Sequence, residues 1–305
     1  MGTALSRVKR EGSKNLALRY RLVSAVVLIP IVAVLVYLGG PPFFVAALLI
    51  AALASHEFSA LVRRAGHDPL YWFAMATTLL FLLDAQLTLG RVWLPDGSTA
   101  IRPALSLVIL ASLSWQMLRK VDTKEALISL GFLFSGTLYV GWLFRYYVLL
   151  RGLDSRLPGL ALPGGLLLER GALWLALVVV AVWICDSVAY LVGSAYGRRK
   201  VLPRISPSKT WEGTLAGVAG AWLWGALAGS YLGMGVLAGS LLGLVIGISA
   251  VLGDLSESMI KRGAAAKDSS GLIPGHGGML DRLDSMLFAG VVAYYFVVLF
   301  QFAGP

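Results

Sequence analysis

The sequence is poor in cysteine and in charged side chains. Cys185 is the only cysteine among 305 residues, so an intramolecular disulfide and a cysteine-based zinc site are both excluded. Charged residues make up 14% of the chain, against about 25% in soluble globular domains. Together with 58% hydrophobic residues, this deficit excludes a disordered protein, a disulfide scaffold and an ordinary cytosolic enzyme. The 35 glycines show no G-X-Y period, which excludes a collagen-like chain.

Long apolar stretches are abundant instead. A helix needs about 20 mostly apolar residues to cross the hydrocarbon core, because it rises about 1.5 Å per residue. The first stretch is predicted to be a true span, since no small-residue cleavage site of a signal peptide follows it. The sequence thus predicts an all-α polytopic membrane protein with about nine transmembrane helices. The nine stretches are 22–38, 43–62, 70–90, 103–118, 126–149, 172–196, 212–231, 234–253 and 286–303.

The net charge of +10 reflects either binding to a polyanion or sorting of charges by a membrane. With the N-terminus in the cytoplasm and nine alternating spans, 20 of the 26 Lys and Arg residues fall on the cytoplasmic side and five on the other. This bias predicts a cytoplasmic N-terminus and a C-terminus on the opposite side. The basic tail has no evident fold to present its charges to a nucleic acid, so nucleic acid is not expected as a partner.

The distribution of polar residues divides the chain into three parts. A basic cytoplasmic tail, 1–21, precedes an N-terminal set of transmembrane scaffold helices, 22–171. The C-terminal part, 172–305, contains the two longest cytoplasmic loops, 197–211 and 254–285. These loops hold most of the polar residues that are not simple anchoring charges. This part is therefore predicted to be the catalytic transmembrane domain.

Six acidic residues lie within or at the edges of predicted spans. A carboxylate there costs at least about 2.5–3.5 kcal/mol on insertion scales, so each one needs a reason. For Glu57 and Asp84 we expect a polar contact between helices. Asp186 is flanked by apolar residues deep in its span, and it is expected to face the bundle interior or a water-filled cavity. The other three acids are Glu212, Asp254 and Glu257.

Four polar residues then recur with helical spacing on one predicted helix face: Asp254, Glu257, Ser258 and Lys261. A solvated helix end would show the same spacing, but an almost wholly apolar run precedes this one. Asp281 and Asp284 repeat the pattern at i, i+3 just before the last span. Carboxylates without cysteine favour Mg²⁺ over Zn²⁺ as the metal.

The loop between these acids is basic and rich in glycine. It contains Lys267 and Asp268, and its last part places His276 between glycines. Glycines let backbone N–H groups approach an anion, and Lys or Arg neutralises phosphate. Metal-binding acids beside such a loop indicate phosphoryl or nucleotidyl transfer. A structural role is the alternative for His276.

The other long loop contains the run Ser206-Pro-Ser-Lys-Thr-Trp-Glu-Gly213. Ser206 is predicted to be an N-cap with Pro207 at the first helical position, so that 208–210 form the first helical turn. Such a helix N-terminus attracts phosphate. A capped helix with an interfacial lysine is the alternative interpretation. A P-loop is excluded because its glycine pattern is missing.

These segments together resemble the signature of the phosphatidate cytidylyltransferases, or CDP-diacylglycerol synthases. The main match runs over 27 residues, from Ser258 through Lys267-Asp268 to the segment Ile273-Pro-Gly-His-Gly-Gly-Met-Leu-Asp-Arg-Leu-Asp284. The run 206–213 and Asp186 resemble upstream elements of that family. The resemblance covers about residues 180–285 strongly.

The resemblance implies that CTP and phosphatidate give CDP-diacylglycerol and pyrophosphate in a Mg²⁺-dependent reaction. It implies an integral protein of the bacterial cytoplasmic (inner) membrane, with its active site facing the cytoplasm and with membrane lipids as partners. It leaves open a second cation and suggests a homodimer.

Roles for individual residues follow from the same resemblance. Asp254 and Asp281 would hold the metal, with Asp186 and Asp284 in support. The phosphates would be bound by polar and basic side chains: Ser208, Lys209, Thr210, Lys261, Arg262, Lys267 and Arg282. The remaining catalytic positions would be Glu212, Ser258, Asp268 and His276. Of these, Glu212 and Asp268 would orient the bases and His276 would donate to the leaving pyrophosphate.

Two other functions are alternatives to this transfer reaction. A secondary transporter also carries acids within its membrane spans, but it predicts charges near the midplane and a repeat between halves. This sequence has most of its polar residues at one interface and in one half. A CDP-alcohol phosphotransferase would need an Asp-Gly-x2-Ala-Arg core, which is absent.

Overall fold

The computed structural model describes residues 26, 29–90, 99, 101–153, 160–161, 167–273 and 277–303, and these are nearly all helical. The basic tail 1–21 and His276 lie outside the described residues. The helices are α1 (Ile29–Leu38), α2 (Gly40–Arg64), α3 (Tyr71–Leu89), α4 (Ile101–Leu118), α5 (Thr123–Thr137), α6 (Leu143–Arg151), α7 (Arg170–Tyr196), α8 (Trp211–Tyr231), α9 (Val236–Gly263) and α10 (Leu280–Ala303). A short π-helix (Leu138–Trp142) joins α5 to α6.

The prediction of a helical membrane protein is confirmed, but the count of nine spans is not. Seven segments of the described residues are long and apolar enough to cross a membrane: Gly40–Arg64, Tyr71–Leu89, Ile101–Leu118, Thr123–Arg151, Arg170–Tyr196, Val236–Gly263 and Leu280–Gln301. The glycines and tryptophans of α8 lower its mean hydropathy, although the helix coincides with the predicted stretch 212–231. The predicted stretch 22–38 lies partly outside the described residues, and α1 is the main part of it that is seen.

Two small antiparallel ribbons interrupt the helices. One pairs β1 (Leu160–Ala161) with β2 (Leu167–Leu168), and the other pairs β3 (Lys200–Leu202) with β4 (Ser206–Thr210). The second ribbon, called the hairpin below, corrects the prediction that Ser206 caps a helix. The segment Ser206–Thr210 pairs with β3, which keeps it extended, and Pro207 is tolerated because a two-stranded ribbon has free edges. The true N-cap is Thr210, whose Oγ1 accepts from the N–H of Gly213 at 3.3 Å.

Glycine contacts hold the C-terminal helices together. The residues Gly213, Gly217, Ala221, Gly225 and Gly229 recur every fourth position on α8, and all are buried. A side chain at Gly213 would collide with α7, and one at Gly225 would overlap the backbone of α9. Small residues at such spacing let helix backbones approach closely within a membrane. This packing fixes α8 between α7 and α9.

One hydrophobic core includes helices from both the predicted scaffold and the predicted catalytic part. Its fully buried members include Ala51, Leu82, Leu150, Trp174, Leu177, Leu242, Ile246 and Leu287. The predicted boundary between the scaffold helices and the catalytic part, at residues 171 and 172, therefore stays a prediction. In the N-terminal helices, Nη1 of Arg145 lies 2.9 Å from Oδ2 of Asp84, which confirms the polar helix contact predicted for Asp84.

Candidate active site

Three aspartates from three different helices form the centre of the candidate site. Asp186 of α7, Asp254 of α9 and Asp284 of α10 lie close enough to interact electrostatically, and we call them the acid cluster. Asp186 is exposed, whereas Asp254 and Asp284 are half-buried. The cluster therefore reaches the protein surface at Asp186. That Asp186 faces the bundle interior or a water-filled cavity stays a prediction.

Lys209 joins the hairpin to the acid cluster. Its Nζ lies 2.6 Å from Oδ2 of Asp254, and the hydroxyl of Ser258 donates to Oδ1 of the same carboxylate at 3.3 Å. Lys209 is held in position because the next residue, Thr210, is buried and caps α8. The hydroxyl of Thr210, predicted to bind phosphate, is thus used within the fold. The hairpin and α9 together place a cation directly beside a carboxylate.

Ser285 connects the other two members of the acid cluster. Its Oγ donates to Oδ1 of Asp186 at 3.3 Å, and its backbone N–H donates to Oδ1 of Asp284 at 2.6 Å. The side chain of Arg282 is exposed and lies within electrostatic range of both aspartates. The first turns of α10 therefore contribute three groups to the acid cluster: the carboxylate of Asp284, a hydroxyl that donates to Asp186, and an exposed arginine.

Lys261 occupies a second polar position one helical turn beyond Ser258. It forms an ion pair with Glu257 on its own helix, and its Nζ lies 2.7 Å from Oδ1 of Asp281 on α10. Glu257 is fully buried. The helical stripe predicted from Asp254 to Lys261 is confirmed, because all four residues lie on α9. At one end of this stripe, the ammonium group of Lys261 is paired with two carboxylates.

Asp281 also holds the loop that joins α9 to α10. Its Oδ2 accepts from the N–H of Ser269 at 2.9 Å, from the Oγ of Ser269 at 2.8 Å and from the N–H of Gly278 at 2.8 Å. With Lys261 on Oδ1, both oxygens of this carboxylate are engaged by protein donors. The α9–α10 loop, residues 264–279, is thereby fixed at two points.

Sequence reasoning missed the part that Glu57 plays at this loop. Glu57 lies on α2, and its carboxylate accepts from the hydroxyls of Ser269 and Ser270 and from the N–H groups of Met279 and Leu280. The predicted polar contact exists, but its partners are the loop and the start of α10. An acid in a span was the only signal in the sequence, and it could not identify partners more than 200 residues away.

Tyr139 was also missed. It lies on the π-helix, and its hydroxyl has no hydrogen-bond partner among the described residues. The tyrosine is within electrostatic range of Glu257, Asp284 and Asp254. π-Helical turns often occur at functional sites, and this one turns a hydroxyl toward the acidic groups. No periodicity in the sequence indicates a π-helix.

Glu212 holds the backbone segment that leads into strand β3 of the hairpin. Its carboxylate accepts from the backbone N–H groups of Arg198 at 3.1 Å and Arg199 at 3.2 Å. Glu212 was expected to orient basic side chains, and the contacts seen are instead to the backbone of two of them.

The remaining predicted residues lie around the site. Nε of Arg262 donates to the carbonyl of Ile205 at 3.3 Å, and its Nη1 donates to that of Ala266 at 3.0 Å. Arg262 therefore braces the hairpin against the α9–α10 loop. The other predicted site residues of the hairpin and the α9–α10 loop have exposed side chains: Ser208, Lys267 and Asp268.

The oxygen ligands preferred by Mg²⁺ are present, but only part of the predicted ligand set is available. The acid cluster offers carboxylates whose mutual repulsion a bound cation would relieve. At Asp254 the cation would share the carboxylate with Lys209 and Ser258, which is fewer protein donors than Asp281 has. A metal at Asp281 would have to displace Lys261 or compete with three other donors. Within the described ranges, no three His, Cys, Asp or Glu side chains are already arranged to hold a metal ion.

Comparison with known proteins agrees with the signature residues. The phosphatidate cytidylyltransferase of Synechocystis sp. is 38% identical over 295 residues, which cover 92% of this chain and 96% of that protein. The enzyme of that name from Haemophilus influenzae is 33% identical over 297 residues, covering 92% and 98%. That of Bacillus subtilis is 31% identical over 224 residues, covering 73% and 76%. The sequence profile of the cytidylyltransferase family matches residues 19–300, and the chain therefore belongs to this family.

Proposed function

We propose that this protein transfers CMP from CTP to phosphatidate, giving CDP-diacylglycerol and pyrophosphate for phospholipid biosynthesis. The observation that carries the proposal is the 2.6 Å contact between Lys209 of the hairpin and Asp254 of the acid cluster. It joins a cation suited to phosphate with carboxylates suited to a metal, the combination that nucleotidyl transfer uses. Relatives with 31–38% identity carry the corresponding name.

The reaction makes one bond and breaks one. A phosphate oxygen of phosphatidate attacks the α-phosphorus of CTP. The bond from that phosphorus to the oxygen bridging to the β-phosphate breaks, and pyrophosphate leaves with the electron pair. A phosphate monoester is already ionised near neutral pH, so orienting the two substrates contributes more than removing a proton.

Two anchored lysines are the main phosphate ligands in this proposal. Lys209 is held by Asp254, and Lys261 is held by Glu257 and Asp281, so neither Nζ has to be ordered when substrate arrives. Such preorganisation raises transition-state stabilisation because little reorganisation is needed during the reaction. Thr210, predicted to bind phosphate, is left out because its buried hydroxyl caps α8. The other proposed phosphate ligands lie on the hairpin, α9, the α9–α10 loop and α10: Ser208, Arg262, Lys267 and Arg282.

Mg²⁺ is part of the proposal. Asp254 is its first ligand, and Asp186 and Asp284 support it. Asp281 was the second ligand predicted from the sequence, but its four hydrogen bonds favour Asp284 in that position. When bound, the ion would neutralise charge that develops on the phosphates. A second cation beside Mg²⁺ is proposed on the family resemblance alone.

The proposed location is a bacterial cytoplasmic membrane, with the site facing the cytoplasm. The excess of Lys and Arg on one side supports a cytoplasmic N-terminus and a C-terminus outside. With 21 residues, α8 is about 31 Å long and packs between two spanning helices, which supports counting it as an eighth span. The predicted stretch 22–38, whose main described part is α1, is proposed as the ninth, and this odd number puts the two termini on opposite sides. Reporter fusions after Arg64, Gly90 and Pro305 would test the orientation. A cytoplasmic signal at Pro305 would contradict it.

A homodimer is proposed on the family resemblance alone. Light scattering of the detergent-solubilised full chain would test it by giving the mass of the protein component. A mass of one chain at all concentrations would refute the dimer without affecting the proposed reaction.

One assay separates the proposed function from its rivals. Purified protein receives labelled CTP, phosphatidate and Mg²⁺, and we expect label in the lipid phase together with an equal amount of pyrophosphate. A CDP-alcohol phosphotransferase would instead release CMP from CDP-diacylglycerol when an alcohol is added. A transporter would move solute across sealed vesicles without labelling lipid. Pyrophosphate without labelled lipid would contradict the synthase.

A further inference from the structure

Among the described residues, the carboxylate of Glu57 is the one side-chain group of the N-terminal helices that is hydrogen-bonded to the α9–α10 loop. Glu57 is 3% exposed. It accepts from the hydroxyl of Ser269 at 2.8 Å and from that of Ser270 at 2.6 Å. It also accepts from the N–H groups of Met279 at 2.9 Å and Leu280 at 2.8 Å. A single buried side chain therefore binds both the middle and the end of the loop.

The last two of these donors belong to the start of α10. The first N–H groups of a helix have no partner within the helix, and the helix dipole favours a negative charge there. Glu57 satisfies two of these groups from a neighbouring helix. The position of α10, and with it Asp281 and Asp284, is thus linked to α2.

Glu57 and Asp281 act on the same serine. The Oγ of Ser269 lies 2.8 Å from Oε2 of Glu57 and 2.8 Å from Oδ2 of Asp281. The two carboxylates approach each other this closely because Gly278 has no side chain. A Cβ there would collide with both Ser269 and Glu57.

We propose that Glu57 is a positioning residue for the transfer reaction, because it holds the α9–α10 loop in the geometry that presents Lys267 and Asp268 to substrate. These two residues immediately precede Ser269 and are exposed. The positions that these two side chains can occupy therefore depend on how firmly Ser269 is held. The inference rests on the proposed function. It assigns to the predicted scaffold a direct part in ordering the site.

Glu57→Gln is the sharpest test, because glutamine has the same shape but replaces one acceptor oxygen by a donor. Each carboxylate oxygen accepts from a backbone N–H, Oε1 from Met279 and Oε2 from Leu280, so the amide group of glutamine would face one of these donors in either orientation. In the purified full chain we expect kcat/KM for CTP to fall by about 10- to 100-fold, mostly through kcat, since a displaced catalytic group slows the chemical step. We also expect faster hydrogen–deuterium exchange in peptides covering 264–280 and faster tryptic cleavage after Lys267.

A second variant tests whether Glu57 acts through the loop. Ser270→Ala removes one donor and leaves the other three, so its effect on kcat/KM should be smaller. If both residues belong to one network, Ser270→Ala should change little further in the Glu57→Gln background. Additive effects of the two changes would contradict the proposal.

Asp84→Asn is the matched control, since Asp84 is another buried carboxylate of the N-terminal helices and contacts Arg145 rather than the loop. It should leave exchange in 264–280 unchanged even if the Tm falls. Unchanged loop exchange or wild-type kcat/KM in Glu57→Gln would overturn the proposal. A wild-type chain that makes no CDP-diacylglycerol would refute the proposed function, while the exchange data would still decide whether Glu57 orders the loop.

Discussion

Nζ of Lys261 on α9 lies 2.7 Å from Oδ1 of Asp281 on α10. The same lysine pairs with the fully buried Glu257. One cation thus pairs with two acids where two helices of the candidate site meet. Stability and activity depend on it for different reasons.

Lys261→Met should affect both properties. Removing one partner of a buried ion pair destabilises by about 3–5 kcal/mol, because a charge is left without compensation. The double variant Lys261→Met, Glu257→Gln should recover much of the lost Tm, since the buried acid is neutralised. Activity should stay low in both variants, because Lys261, a proposed phosphate ligand, is absent. Activity restored together with stability would show that Lys261 is purely structural.

Lys209→Met should lower kcat/KM by about 10²- to 10³-fold, the usual effect of removing one preorganised electrostatic contact. Lys200→Met is the control, since Lys200 is an exposed lysine on the other strand of the same hairpin. It should stay near wild type. Both are measured by the transfer of label from CTP to lipid. Equal losses in the two variants would point to a general charge effect.

The metal ligands can be separated by Mg²⁺ titration. Asp254→Asn and Asp284→Asn should raise the Mg²⁺ concentration that gives half of the maximal rate, because each removes a ligand. Asp281→Asn should lower the rate and the Tm without this shift, since Asp281 holds Lys261, Ser269 and Gly278. A large shift for Asp254→Asn and Asp281→Asn, with none for Asp284→Asn, would restore the ligand pair predicted from the sequence. Chelation with EDTA should abolish activity reversibly.

Gly225→Ala should destabilise the packing of α8 on α9. A Cβ at this position would overlap the backbone of Gly243, and backbone atoms cannot move aside as a flexible side chain can. Overpacking of this kind costs about 1–3 kcal/mol. Gly131→Ala is the control, because a Cβ there meets nothing within 4 Å. Thermal unfolding in detergent should show a lower Tm for Gly225→Ala only.

The helical stripe on α9 was predictable because its residues are at most seven positions apart. Spacing of that kind is decided by the geometry of one helix, and Asp254 and Lys261 lie on it as expected. The same holds for Asp281 and Asp284 in the first turns of α10. The family signature extends over these two helix ends, which explains why the candidate site could be located from the sequence.

The region around Ser206 shows where local reasoning failed. Ser-Pro before an apolar run is a common start of a helix, but here that segment pairs with β3 and the helix starts at Trp211. Pairing with a neighbouring strand overrode the local preference. The number of spans illustrates the same point, since α8 is not among the seven helices that length and hydropathy identify as spans, yet its glycines pack it between α7 and α9.

The sequence by itself determined that this is a helical membrane protein of the cytidylyltransferase family, because apolar length and motif spacing are local properties. Only the tertiary structure decided which polar groups meet. It paired Lys209 with Asp254, directed Lys261 to Asp281, and brought Glu57 to the α9–α10 loop. Buried charges must find partners, but the partner is chosen by helix packing across the whole chain.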